Sequence, residues 1–178
     1  MTQVTELLSL CASCANGIYT MTPPNAQYAG RITRMLLGTA LAETALRTDR
    51  QTGFTLNNPA GGWSWWQLEC VSVQDSLNRL MRKPQAEAAC AAWLFNRHDT
   101  EITLNTIRTM GELGRMNLIR EWPRLAVLFA RLHYIWVPAP IPDGIYEQAE
   151  YWMLRYNCGG KGTIKHYVDN WRALSPVQ

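Results

Sequence analysis

The helical spacing of apolar residues constrains the fold of this chain more than any other feature. Between residues 26 and 47 one stripe repeats at intervals of four and three positions, as on one face of an α-helix, and comprises Ile32, Leu36, Ala40 and Glu43. Comparable spacing predicts further helices at about 4–19, 72–82, 84–96, 101–110, 117–136, 145–156 and 163–174. Helices are therefore expected to form most of the structure.

Residues 50–69 lose this spacing and contain turn-forming residues instead. Gly53, Asn57-Asn58-Pro59 and Gly61-Gly62 are typical of turns, and the aromatic run from Trp63 to Leu68 predicts a short paired strand. The expected fold class is therefore α+β, predominantly α-helical, with one small β-hairpin excursion after the second helix.

Three element boundaries have recognisable chemistry. Ser72, with Asp75 three residues later, resembles a capping box at the start of a helix. Pro84 suits the first position of the next helix, where a backbone N–H is not needed. Pro138-Ala-Pro-Ile-Pro142 excludes a helix and predicts an extended tether.

The composition is that of a globular protein with one domain, residues 1–178. Apolar residues make up 47% and charged residues 17%, which excludes a disordered chain. The net charge of +3 comes without a run of Lys or Arg, so no nucleic-acid partner is expected. A mild positive charge favours approach to an anionic polymer such as a bacterial cell wall.

Membrane and export signals are not visible in the sequence. No apolar stretch reaches the roughly 18–20 residues that span a bilayer, so no stable membrane insertion is expected. The first residues lack a basic start followed by an apolar run. Synthesis in the cytoplasm is expected, and an extracellular site of action would then need separate delivery.

The five cysteines are scattered, and they are Cys11, Cys14, Cys70, Cys90 and Cys158. Cys11-Ala-Ser-Cys14 has the spacing of redox and zinc motifs, but it lies inside an apolar helical segment without a second Cys/His pair at metal-ligand spacing. We therefore expect reduced, buried, structural cysteines, no metal and no cofactor.

Glu43 is the first candidate for catalysis. It is the only carboxylate between Glu6 and Asp49, and it lies on or beside the apolar stripe in the last turn of its helix. Burial and the negative helix end both disfavour a charged carboxylate, which raises its pKa, whereas Arg47 on the same face opposes the rise. A raised pKa is what a proton donor needs near neutral pH, and the alternative is a solvated glutamate at a helix end.

Two further segments are candidates for binding sugars. In Gly61-Gly62-Trp63-Ser64-Trp65-Trp66-Gln67, aromatic faces suit pyranose rings and the amide suits their polar groups, although a Trp-rich hairpin packed on the core is equally consistent. Tyr156-Asn157-Cys158-Gly159 has a similar polar set, although Asn and Gly are also ordinary residues at a helix end.

The order of these three segments resembles the lytic transglycosylase and goose-type lysozyme group of the lysozyme-like superfamily. The pattern of that family is Glu-Ser, then Gly-Leu-Met-Gln, then Tyr-Asn-Ala-Gly. The corresponding segments here are Glu43-Thr44, Ser64-Trp65-Trp66-Gln67 and Tyr156-Asn157-Cys158-Gly159. Ala130–Tyr134, the tether and Tyr151–Gly162 also look like small phage proteins of this type, so the resemblance covers about residues 30–172.

The resemblance implies a lysozyme-like fold and cleavage of peptidoglycan between N-acetylmuramic acid and N-acetylglucosamine. Glu43 would be the catalytic acid and base, without a cofactor. The implied substrate-binding residues are Thr44, Trp66, Gln67, Tyr134, Tyr156 and Asn157. The departures are Thr for Ser, Ser-Trp for Gly-Leu and Cys for Ala, and none of them removes the acid.

The sequence leaves open both the type of reaction and the place where the protein acts. A single acid suits anhydro-forming transglycosylation, whereas hydrolysis would use Glu69 or Asp49 to position water. The implied partner is bacterial peptidoglycan, in the periplasm or cell wall. The protein would act there either as an endolysin or as a component of the virion, in which case phage virion proteins are further partners. The rival hypothesis is a non-catalytic virion or cell-wall-binding protein that keeps the fold.

Overall fold

Nine α-helices make up most of the computed structural model, which describes residues 3–18, 25–48, 57, 60–95 and 102–176. They are α1 (Gln3–Gly17), α2 (Ala26–Thr44), α3 (Cys70–Leu80), α4 (Pro84–Leu94), α5 (Leu104–Thr109), α6 (Glu112–Glu121), α7 (Pro123–Ile135), α8 (Ile145–Arg155) and α9 (Ile164–Leu174). The helical spacing predicted most of these elements to within a few residues.

The predicted β-hairpin is wrong, and the described residues form an all-α structure without a strand or sheet. Trp63 and Leu68 make one isolated antiparallel bridge that closes residues 63–68 into a turn, called the bridge turn below. Ser64 and Gln67 have φ values of 63° and 47°, which no β-strand accommodates. Because α3 begins two residues after the bridge, no room remains for further pairing. Gly53 and Asn58-Pro59 lie outside the described residues.

The long helix predicted at 117–136 is two helices. Pro123 lacks a backbone N–H and disfavours helical backbone in the preceding residue, so Trp122 adopts φ −119° and ψ 90°. α6 therefore ends at Glu121, and Pro123 takes the first position of α7. Pro84 begins α4 in the same way, as predicted.

Two helices form the centre of the molecule. Every residue from Met35 to Ala42 of α2 is buried, and so is every residue from Leu125 to Leu132 of α7. This part of α2 is therefore enclosed on all sides, whereas the apolar stripe predicted a helix that is buried on one face only. α2 contacts α1, α7, α8 and α9, so the last turn of α2 lies among several elements.

The predicted capping box is also wrong, whereas the proline-rich tether is confirmed as non-helical. α3 begins at Cys70 after Glu69, which makes no side-chain cap, so Ser72 lies inside the helix. The tether is held at two points: Ile141 N–H donates to the Tyr28 hydroxyl, and the Tyr151 hydroxyl donates to the carbonyl of Ala139. Within the described ranges, no helix is long and apolar enough to cross a membrane.

Candidate active site

An open cleft of about 410 Å³ lies where the end of α2, the bridge turn, α7 and the loop after α8 meet. The chain segments that form it are far apart in sequence, so tertiary packing alone brings them together. The lining residues are Glu43, Gly62, Gln67, Leu68, Glu69, Ser72, His133, Tyr156, Asn157, Cys158, Gly159 and Gly160.

Glu43 is the carboxylic acid of this cleft whose environment is most unusual. It lies in the last turn of α2, and the indole Nε1–H of Trp152 donates a hydrogen bond of 2.9 Å to its Oε1. Burial raises the pKa of Glu43, the indole hydrogen bond lowers it, and the negative charge of Glu69 raises it further, giving about 7 in place of 4.5. A substantial fraction of Glu43 is therefore protonated at neutral pH.

Strained backbone surrounds the acid. Among the residues that the structure describes, four other than glycine have left-handed φ values: Ala45 49°, Leu46 56°, Ser64 63° and Gln67 47°. Two of them directly follow the last turn of α2, and two lie in the bridge turn. Such strain costs about 1–3 kcal/mol per residue and tends to concentrate at functional sites. The chain turns away immediately after Glu43 and leaves its carboxyl at the cleft.

The bridge turn is fixed to the helices by hydrogen bonds on two sides. The Trp66 indole donates to the carbonyl of Leu36 at 2.8 Å, and the hydroxyl of Thr44, which bonds the carbonyl of Ala40 at 3.1 Å, also lies 3.4 Å from the carbonyl of Trp65. From the opposite side, the hydroxyl of Tyr156 donates to the carbonyl of Trp66 at 2.7 Å. The turn is thus attached both to α2 and to the end of α8.

Four of the residues predicted to form the site are brought together: Glu43, Gln67, Tyr156 and Asn157 all line the cleft. The Gln67 amide donates to the carbonyl of Ser64 at 2.8 Å, which holds the side chain against its own turn. Its remaining N–H and oxygen stay available to a ligand.

The other three predicted binding residues, Thr44, Trp66 and Tyr134, lie below the cleft and do not line it. The Trp66 ring is fully buried. The Tyr134 hydroxyl lies 2.6 Å from the hydroxyl of Thr39 inside the core, and its ring packs on Tyr156 at 5.4 Å. These residues therefore support the cleft from beneath, and Trp66 lines a separate pocket of about 360 Å³ on the other side of the bridge turn.

Asn157 owes its position to glycines in the loop that follows α8. A Cβ at Gly160 would overlap the Asn157 amide, and a Cβ at Gly162 would overlap both that amide and the outer edge of the Trp152 ring. Only glycine lets the loop backbone approach so closely. The Gly159-Gly160-Lys161-Gly162 sequence therefore packs a polar side chain at the cleft, beyond its role as a helix stop.

Sequence reasoning missed two residues of this region, Trp152 and His133. Trp152 is buried on α8 four residues before Tyr156, and this spacing was the available signal that both share one helix face. His133 lines the cleft; its Nε2 lies 2.7 Å from the carbonyl oxygen of Arg155, and its ring lies 4.7 Å from that of Tyr156.

A smaller pocket of about 200 Å³ adjoins the cleft, because Ser72 and His133 line both. Its other lining residues are Asp75, Ser76, Arg79, Trp136 and Val137. Together the two cavities form a longer depression with polar side chains and one indole. Such a shape suits an extended ligand more than a single small molecule.

The other titratable groups near Glu43 come from four elements. They are Glu69 before α3, His133 and Tyr134 on α7, Tyr156 and Cys158 after α8, and His166 on α9, whose Nε2 lies 2.7 Å from the carbonyl oxygen of Ala42. Burial raises the pKa of Tyr156, as does the charge of Glu43 and Glu69, so its hydroxyl stays neutral and donates to Trp66 rather than to Glu43. Arg47 is exposed, and Asp49 lies outside the described residues.

The cysteines only partly match their prediction. Cys11, Cys14 and Cys90 are buried, and burial raises the pKa of the Cys90 thiol to about 12. Cys70 is half-buried and Cys158 is exposed in the cleft, so the prediction that all five are buried is wrong. Among the residues that the structure describes, no group of three or more His, Cys, Asp or Glu could hold a metal ion.

Comparison with protein-family models, with curated proteins and with solved structures finds no match to this chain. Its function must therefore be inferred from the chemistry of the cleft.

Proposed function

We propose that this protein cleaves the β-1,4 bond between N-acetylmuramic acid and N-acetylglucosamine in bacterial peptidoglycan, with Glu43 as the general acid. The observation that carries the proposal is the pKa of about 7 for a carboxyl that lines an open cleft. General acids work best when their pKa lies near the operating pH. An ordinary solvated glutamate is almost fully ionised there and has no proton to give.

The polar lining of the cleft supports a carbohydrate substrate. The amides of Gln67 and Asn157 offer donors and acceptors for hydroxyl and acetamido groups. The adjoining pocket with Trp136 extends the surface beyond one sugar ring, and an indole face can pack against a pyranose. The ordered resemblance of three segments to lytic transglycosylases supports the same substrate class.

Cleavage begins with proton transfer. Protonated Glu43 gives its proton to the glycosidic oxygen, and the bond from C1 of N-acetylmuramic acid to that oxygen breaks. The electron pair stays on the oxygen, which leaves as the 4-hydroxyl of N-acetylglucosamine. The acetamido group of the substrate stabilises the positive charge at C1, as in the family that the sequence resembles. Glu43 is now a carboxylate and can accept a proton.

Two acceptors complete the reaction with the same proton balance. The 6-hydroxyl of the N-acetylmuramic acid attacks C1, returns a proton to Glu43 and gives a 1,6-anhydro product. Alternatively, water attacks C1 and gives a reducing end. Glu69 lines the same cleft and is the described carboxylate that would position this water.

Digestion of purified peptidoglycan tests the proposal. Wild-type protein should release soluble fragments, whereas Glu43→Gln, which keeps the volume but cannot donate a proton, should lose activity by about 10²–10⁴-fold. Glu150→Gln on the exposed face of α8 is the matched control and should retain activity. Mass spectrometry then identifies the acceptor, because a 1,6-anhydro product is lighter than a hydrolysed one by one water.

Failure has two distinguishable forms. Equal activity in wild type and Glu43→Gln would remove Glu43 from the mechanism. If wild-type protein binds the wall but does not cleave it, the enzymatic proposal is rejected in favour of a non-catalytic cell-wall-binding protein. Detection of the protein in purified phage particles or in the lysate alone separates a virion component from an endolysin.

A further inference from the structure

The hydrogen bond between Trp152 and Glu43 distinguishes the two oxygens of the acid. An indole N–H only donates, so the Glu43 Oε1, 2.9 Å away, must act as an acceptor. In a neutral carboxyl group the carbonyl oxygen is the better acceptor, and the other oxygen carries the proton. The bond therefore favours the arrangement in which Oε1 is the carbonyl oxygen and Oε2 is the hydroxyl.

The positions of Glu43 and Trp152 relative to the cleft indicate which of the two carboxyl oxygens a ligand can reach. Glu43 lines the cleft, whereas Trp152 is only 1% exposed and does not line it. The Oε1 side of the carboxyl thus faces the protein interior. Oε2 is the oxygen left for a ligand in the cleft.

We propose that Trp152 is a positioning residue that holds Oε1 of Glu43 as an acceptor and so keeps the transferable proton on Oε2, facing the cleft. This rests on the proposed function for its use in catalysis, although the hydrogen bond itself is independent of any substrate. In wall cleavage, the Oε2–H bond breaks as the proton moves to the glycosidic oxygen. Oε1, still bonded to the indole, shares the negative charge that results.

The packing around Trp152 makes it a fixed donor. The Tyr167 ring of α9 packs against the indole at 5.4 Å, and Gly162 leaves room for the outer edge of the indole. Gly38 of α2 leaves room in turn for the Tyr167 hydroxyl, which a Cβ there would overlap. Three helices and one loop therefore set the direction of the N–H, and a fixed donor loses little entropy in orienting its acceptor.

Trp152→Phe is the variant that tests the proposal, since it keeps an aromatic ring at this position but removes the N–H donor, together with part of the buried volume of the indole. The indole bond stabilises the ionised carboxylate, so its loss should raise the pKa of Glu43 by about one pH unit. The rate constant kcat for wall cleavage should fall several-fold with KM little changed, and the basic limb of the pH profile should move upward. A merely structural ring would lower the melting temperature without moving that limb.

The titration of Glu43 is best followed without reference to activity, by NMR of carboxyl-labelled glutamate, with Glu43→Gln assigning the signal. Trp93→Phe is the matched control, because it removes a buried indole donor that bonds Ser13 at 3.1 Å on α1. It should leave the Glu43 titration unchanged. An unchanged titration in folded Trp152→Phe overturns the proposal. A shifted titration in a protein that does not cleave the wall would support the positioning role and reject the proposed function.

Wild-type protein supplies a second measurement should Trp152→Phe fail to fold. One indole N–H resonance should shift with pH around a midpoint near 7, because its acceptor becomes charged as Glu43 ionises. The shift should vanish in Glu43→Gln. If no indole resonance follows pH in this way, Trp152 does not donate to Glu43 in solution and the proposal fails.

Discussion

Replacing Glu43 by glutamine should stabilise the folded protein at alkaline pH even as it removes the proposed activity. Burial raises the pKa of this carboxyl from 4.5 to about 7. A raised pKa means that the folded state holds the proton more tightly than the unfolded chain. The resulting stability is fully present below about pH 4.5 and is lost as the pH rises through about 7.

The size of the effect follows from those two values. Each pH unit between a folded and an unfolded pKa corresponds to about 1.4 kcal/mol, so ionisation of Glu43 costs the folded state about 3 kcal/mol at alkaline pH. For a chain of this length, 1 kcal/mol moves the melting temperature by about 2–4 °C. Glutamine keeps an oxygen for the Trp152 indole but carries no charge. Glu43→Gln should therefore melt roughly 6–12 °C above wild type near pH 9, and close to wild type near pH 4.

Thermal unfolding followed by circular dichroism across that pH range checks this prediction. Glu150→Gln is the control, because its exposed side chain on α8 meets nearly the same solvent in the folded and unfolded states. Its melting temperature should differ from wild type by the same small amount at every pH. A difference between Glu43→Gln and wild type that does not grow with pH would refute the idea that Glu43 is a buried acid.

Three further predictions follow from the same cleft and its surroundings. Glu69→Gln should lower the pKa of Glu43 and move the basic limb of the activity profile to lower pH, because the charge of Glu69 raises that pKa; an upward move would contradict the electrostatic account. Tyr167→Phe should leave stability unchanged or raise it by up to about 1 kcal/mol, since its buried hydroxyl finds no partner among the described residues, and chemical denaturation would reveal a loss if the hydroxyl were bonded. In native protein a maleimide should label the exposed Cys158 first and inhibit wall cleavage, whereas Cys11, buried and with a raised pKa, should react only on unfolding; peptide mapping decides between them.

Helix positions were predictable from sequence because they follow from local spacing. The predicted boundaries that were wrong depend on backbone conformation, which the spacing of apolar residues does not report. Trp122-Pro123 divides a segment whose apolar residues continue without interruption, since the break is in the backbone and not in the pattern. The prediction of a β-hairpin at the bridge turn was wrong for a related reason. Its aromatic run looks like a strand, but the left-handed Ser64 and Gln67 curl it into a single bridge.

The site was predictable in part. Glu43 combined an isolated carboxylate with an apolar helix face, and both signals are local. Trp66 and Tyr134 were placed among the binding residues because aromatic side chains suit both sugars and cores, and only the packing shows that these two are buried. Trp152 was missed because its partner lies 109 residues away in sequence, and no spacing on α8 indicates an acceptor on α2.

The attachment of Glu43 to α8 makes its chemistry conditional on assembly of the whole chain. Before α8 and α9 dock, α2 has neither the indole of Trp152 nor the cover of Tyr156 and the loop after it, and water reaches the carboxyl. A hydrated glutamate has an ordinary pKa and is a poor proton donor at neutral pH. A partly synthesised or partly unfolded chain would therefore lack an effective proton donor even where its N-terminal helices have formed. In this protein the environment that makes Glu43 a proton donor therefore exists only when α8 and the loop after it are packed against α2.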